Sequence, residues 1–153
     1  EGLSGFSDFA LGTQYCKVVT NGNDDGIGSL RFAIAQCSNP EDYIYIAEFI
    51  DSIFLVSDTI ILDKNLSIFH SGNEKVVIQT TSSSPVFKTN PGVLITLNNI
   101  EIHSGGVASS KALLNNGNTI LWNVDIINSI PGEIPVMNTG ILEISETVQI
   151  KNQ

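Results

Sequence analysis

Shifted against itself by 24 residues, the sequence lays Ile100-Glu101-Ile102 onto Val124-Asp125-Ile126 and then onto Val148-Gln149-Ile150. One step in the opposite direction reaches Val76-Val77-Ile78, and Leu97 falls on Leu121, so four segments share an apolar–x–apolar strand at constant spacing. A period in the twenties with no helical periodicity inside it is what a solenoid coil of about three short strands and their corners requires. Each coil adds one strand spacing, roughly 4.8 Å, to a stack. Alternate residues of a strand face opposite sides, so Ile100 and Ile102 are expected to point inward while Glu101, Asp125 and Gln149 face solvent. The corners carry Asn98-Asn99, Asn115-Asn116-Gly117-Asn118, Asn128 and Asn138, residues that tolerate left-handed backbone and bond to nearby main chain. Asn128 and Asn152 are again 24 apart, and stacked asparagines at equivalent corners are expected to exchange amide hydrogen bonds between coils.

Composition agrees with an all-β chain. Apolar residues make up 42% and charged residues only 15%, so polarity comes from Asn, Ser, Thr and Gly. The apolar residues are mainly Ile, Val and Leu in short runs broken by turn formers, the signature of many short strands. At 153 residues the chain is the size of one domain. Net charge is −9 and Arg31 is the sole arginine, which leaves no basic stripe for nucleic acid or an anionic membrane surface. No apolar run approaches the roughly 20 residues of a membrane helix, so membrane insertion is not expected. No charged start followed by an apolar stretch marks a signal peptide, and the opening reads as that of a mature or excised piece.

Upstream of the coils the texture changes. Leu30, Ala33, Ile34 and Cys37 recur at helical spacing behind Gly28 and Ser29 as N-cap candidates, which predicts one short amphipathic helix. The open end of a solenoid exposes core and strand edges and needs a lid, and this helix supplies one. The expected organisation is a strand and helix cap over 1–38 and coils over 39–153, in one structural domain. Cys16 and Cys37 flank the turn-rich segment and admit two readings, a disulfide in an oxidising compartment or two small buried hydrophobes.

The segment from Val18-Val19-Thr20-Asn21 through Gly28-Ser29-Leu30-Arg31-Phe32-Ala33-Ile34-Ala35 resembles the start of bacterial cell-surface, adhesin-type proteins of the pectin-lyase-like superfamily. Those open on a cap that runs strand, Asn/Asp/Gly turn, Gly-Ser-Leu-Arg, helix. The resemblance continues through Asp42 to Ile46, Ile53 to Leu55, Leu66 to Ile68 and Val93 to Ile102. It implies a right-handed parallel β-helix at the cell exterior, with a structural role for Arg31. Gly5 to Gly12 is similar to the closing strand of a module that precedes other units in large secreted surface proteins. By that likeness residues 1–12 would be the tail of a preceding module and the chain a fragment of a larger polypeptide.

Lyases on this fold, as the resemblance implies, hold calcium with several carboxylates and use an Arg or Lys as base. Hydrolases need two converging carboxylates. Here Lys64, Lys75, Lys88 and Lys111 are the cations between the cap and Lys151, and none has an obvious carboxylate cluster at a 24-residue offset. Glu101 and Asp125 read as a solvated face, and His70 and His103 stand alone in strand-like surroundings. No catalytic residue is therefore expected. Asn21, Asn23, Asp25 and Gly26 spell the first half of a calcium loop, but Phe32 stands where the bidentate glutamate belongs. A turn is the better account of that segment, calcium there the weaker one, and no cofactor is expected. Trp122 aligns with Asn98 at a corner, where it either stacks on a sugar or covers an apolar corner.

The leading expectation is a secreted or cell-surface module with a structural and adhesive role. A carbohydrate-binding module is the alternative, and it would need aromatics such as Trp122, Tyr43 or Tyr45 along one face. A polysaccharide lyase or glycoside hydrolase ranks third. Expected partners are extracellular polysaccharide or neighbouring domains of the same polypeptide, with the chain itself a monomer.

Overall fold

The structure is a computed structural model that describes residues 15–38, 42–106, 108, 110–145 and 147–152. The candidate module tail at 1–12 lies outside the described residues. The chain winds into a parallel β-solenoid of about five turns with one short helix. The cap comprises β1 (Tyr15–Val19) and α1 (Leu30–Gln36). The first coil holds β2 (Asp42–Ile46), β3 (Ser52–Leu55) and β4 (Ile60–Leu62), and the second β5 (Leu66–His70), β6 (Val76–Thr80) and β7 (Phe87–Thr89). The third holds β8 (Leu94–His103) and β9 (Leu113–Asn115), the fourth β10 (Asn118–Asn128) and β11 (Val136–Asn138), and the fifth β12 (Ile141–Ile144) and β13 (Gln149–Asn152).

Three parallel faces result. The first stacks β1, β2, β5, the leading halves of β8 and β10, and β12. The second stacks β3, β6, the trailing halves of β8 and β10, and β13, while β4, β7, β9 and β11 form the third. Inside, Ile44, Ile68, Leu97 and Leu121 pair in one register column, and Val76, Ile100 and Val124 in another; all are fully buried. Ile78, Ile102 and Ile126 form a third buried column. The repeat thus builds the core as expected through three coils. Its fourth member departs: Ile150 pairs with Ile126 yet is 43% exposed, and Val148 is only partly buried. No described strand pairs with the outer edge of β13, so its side chains have a neighbouring coil on one side only.

β8 and β10 each turn from the first face to the second without breaking, at Asn99 (φ 58°) and Asn123 (φ 51°). Asparagine enters this left-handed region more readily than other residues with a Cβ. The Asn99 amide donates to the carbonyls of His70 (3.2 Å), Gly72 (2.7 Å) and Glu74 (3.2 Å), and its oxygen accepts from Asn123 Nδ2 at 2.9 Å. A second ladder runs inside the third face, where Asn115 Oδ1 accepts from Thr89 Oγ1 (2.6 Å) and Asn115 Nδ2 donates to Asn138 Oδ1 (2.7 Å). The expected Asn128–Asn152 rung is not there. Asn128 is fully buried and accepts from the Ile130 amide at 2.9 Å, whereas Asn152 is exposed.

The Gly-Ser-Leu-Arg stretch has a physical reading, residue by residue. Gly28 holds φ 87°, which a side chain would strain, and its carbonyl accepts from the Thr20 (2.9 Å) and Asn21 (3.2 Å) amides. Ser29 caps α1 by accepting from the Phe32 amide, and Leu30, Ala33 and Ile34 are buried. Arg31 Nε donates to Asp24 Oδ1 at 2.7 Å, while its guanidinium reaches the carbonyls of Asp58 and Thr59 in the first coil. Asp24 Oδ2 in turn accepts from the amides of Val56 (3.2 Å) and Ser57 (2.8 Å). Lys64 Nζ closes the other end of α1 by donating to the carbonyls of Ile34 (3.1 Å) and Cys37 (2.6 Å). Cys37, the C-cap residue, is disulfide-bonded; the side chain of its candidate partner Cys16 lies outside the described residues.

Burial works against the charge of Asp24, but the Ser57 hydroxyl and amide and the Arg31 guanidinium outweigh it and hold the carboxyl below its ordinary 3.8. A depressed folded-state pKa contributes stability that is complete above the unfolded value and lost as pH falls through the folded one. Chemical denaturation should therefore show Asp24→Asn destabilised by about 1–3 kcal/mol near neutrality, with the gap to wild type closing only below about pH 4. A gap that instead closes between pH 5 and 8 would contradict this pinning role.

Candidate functional site

The corner at Asn99 and Asn123 separates two kinds of surface. On the first face the outward residues next to the corner fall into one register column, Tyr45, Phe69, Asn98 and Trp122. This column is the obligatory counterpart of the inward one, since residues adjacent in a strand face opposite sides. Phe69 sits edge-on to both Tyr45 (centroids 5.5 Å apart) and Tyr43 (6.3 Å), which fixes an aromatic group over the first two coils. Two coils further along, Trp122 is 54% exposed. It flanks a hollow of about 640 Å³ whose other walls are Asn98, Asn123, Ile144, Ser145 and Thr147.

On the second face the outward column beside the corner is Val77, Glu101, Asp125 and Gln149. Lys75, just before β6, reaches two coils along the axis and places Nζ 2.8 Å from Asp125 Oδ1. Asp125 is 8% exposed, so the expectation that it belongs to a solvated face is corrected. The ion pair is close but poorly angled, because the same buried oxygen accepts no hydrogen bond among the described residues. Glu101 contacts His103 Nε2. Glu74, Lys75, Asn99, Glu101, Asn123 and Asp125 line a polar hollow of about 400 Å³, and Asn123 is a wall of both this hollow and the tryptophan hollow.

Of the residues singled out from sequence, Tyr43, Tyr45 and Trp122 are brought onto one face. Of the candidate calcium ligands, Asn21 and Asp25 spend a side-chain oxygen on their own loop. Asn21 Oδ1 accepts from the Asn23 amide (3.1 Å), Asp25 Oδ1 from the Gly26 amide (2.7 Å), and Asn21 Nδ2 donates to the Ile27 carbonyl (2.9 Å). Among the described residues no group of three or more His, Cys, Asp or Glu side chains is placed to hold a metal ion. His70 is buried, with Nδ1 3.0 Å from the Glu74 carbonyl oxygen. The sequence missed the Lys75–Asp125 pair because a 24-residue offset compares adjacent coils only, and this side chain skips one. It also missed Phe69, whose partner in the next coil is Asn98 rather than the residue 24 further on.

No described helix is long and apolar enough to cross a membrane. No known protein family matches the chain, and neither the characterised proteins nor the solved structures compared with it give a match.

Lys75 and Asp125 neutralise one another at a site that is largely shielded from water, so removing the lysine strands a carboxylate. Lys75→Met should destabilise the fold by about 1–3 kcal/mol in urea denaturation. Asp125→Asn in the same background should cost less than it does alone, a coupling of about 0.5–3 kcal/mol in the double-mutant cycle. Strictly additive effects would show that the pair carries no stability.

Proposed function

We propose that this chain is an adhesive β-solenoid module that engages extracellular polysaccharide through its first face. Its likeness at the cap and strands to right-handed, pectin-lyase-like surface proteins supports placing it in a secreted or cell-surface bacterial protein. The observation that carries the reading is the outward column Tyr45, Phe69, Asn98 and Trp122, three aromatics and an asparagine in register along the axis of the stack. Aromatic faces supply apolar area with little rotamer entropy to lose, which suits the flat apolar side of a pyranose ring. Strand stacking fixes the spacing between platforms, so little ordering is required when a polymer binds.

Binding rather than turnover is the chemistry proposed. In the polar hollow the ammonium of Lys75 is matched to an internal carboxylate, and His103 to Glu101, so each cationic or titratable nitrogen already has a partner from the chain. Glu101 and Asp125 are register neighbours beside the same hollow, but each is engaged by a nitrogen of the chain rather than left as the acid and base that a glycosidase would need.

Displayed on an inert carrier particle, the chain should hold the particle to a polysaccharide-coated surface, and Trp122→Ala should weaken retention at least about tenfold, some 1.4 kcal/mol. The purified chain should release neither reducing nor unsaturated sugar, with or without calcium. Release abolished by Lys75→Met or Asp125→Asn would instead make it an enzyme.

A further inference from the structure

Resting on the carbohydrate-binding reading above, we infer that the corner groove selects uncharged glycans and rejects polyuronates, with the polymer lying along the solenoid axis. Two features of the groove carry this. The first is direction. Phe69 and Trp122 belong to one register column and are two strand spacings apart, roughly 10 Å. That separation is about the length of a disaccharide unit, and Asn98 lies between the two platforms to meet ring hydroxyls. A polymer laid along the axis passes over the column from the half-buried Phe69 to the exposed Trp122, whereas one laid across the coils meets only one of its rows.

The second is charge. Across Asn123 from the tryptophan hollow, the hollow on the second face is lined by three carboxylates, Glu74, Glu101 and Asp125, and one ammonium, Lys75. Lys75 is already held 2.8 Å from Asp125, so it is not available to a ligand carboxylate without abandoning a largely buried partner. A uronate on Trp122 would therefore lie beside uncompensated negative charge, with no arginine to offset it, since Arg31 is committed to Asp24 in the cap. Like-charge juxtaposition of this kind discriminates against a ligand without adding attraction to the right one. The net charge of −9 extends the same bias over the whole surface.

Affinity electrophoresis of the full chain through gels containing an uncharged β-glucan, polygalacturonate or chitosan tests the inference at low and at physiological salt. Retardation by the uncharged glucan at both salt concentrations is expected, with at least a tenfold loss of affinity for Trp122→Ala and a smaller loss for Phe69→Ala. Polygalacturonate should not retard the wild type, and a folded Glu74→Gln/Glu101→Gln double variant should gain affinity for it, raising the ratio of its polygalacturonate to its glucan affinity at least about tenfold. Equal or stronger retardation by polygalacturonate than by the glucan would overturn the selectivity; retardation by chitosan should fall away at physiological salt, and chitosan held there as tightly as the glucan would overturn it too. A Phe69→Ala variant that binds as wild type would overturn the axial track. If no polymer retards the folded wild type, the carbohydrate-binding reading itself fails.

Discussion

A strand in a solenoid finds its hydrogen-bonding partners only in the coils before and after it. Everything else in this molecule depends on that constraint. Because the partners are parallel and in register, each inward position must hold a residue that packs on its own equivalent, and the Ile, Val and Leu columns meet that demand with completely buried side chains. The corners face the same demand in polar form. Asn99 and Asn123 turn the chain while bonding to each other and to the carbonyls of the coil beneath. At the capped end, the demand is met by α1 and by the Arg31–Asp24 network that ties the cap turn to the first coil.

The same register that aligns the core aligns the surface. If Ile44, Ile68, Leu97 and Leu121 stack inward, then Tyr45, Phe69, Asn98 and Trp122 stack outward, because they are the next residues along the same strands. On the other side of the asparagine corner the outward column is acidic, and one lysine spans two coils to meet it. An aromatic track and a charged flank therefore share an edge, and the binding properties proposed for the module follow from that adjacency.

The 24-residue period made the strand type, the inward columns of the second face and the need for a cap legible from sequence, and the helix lies inside the segment where its spacing was read. What stayed hidden traces to places where the period slips. Coil two spends residues 71–75 on a separate connection between β5 and β6, a corner that β8 turns without a break, so Phe69 pairs with Asn98 while Val76 pairs with Ile100, which removed Phe69 from any alignment with Trp122. A fixed shift also cannot see a long side chain that passes over a coil, as Lys75 does. Periodicity placed Ile150 with Ile126 correctly, yet burial needs neighbours on both sides, and the last coil has them on one. The asparagine ladders formed at corners where backbone geometry turns the amides toward one another, a condition that spacing alone does not encode for Asn128 and Asn152.

Native-state hydrogen exchange resolved by residue tests the central claim, that each coil is held by the coils on either side of it. Amides in β8 and β10, which pair with strands on both sides, should exchange only through global unfolding, while those of β12 and β13 should exchange through cheaper local opening. Equal protection across β8, β10, β12 and β13, or faster exchange in β8 than in β13, would contradict the account.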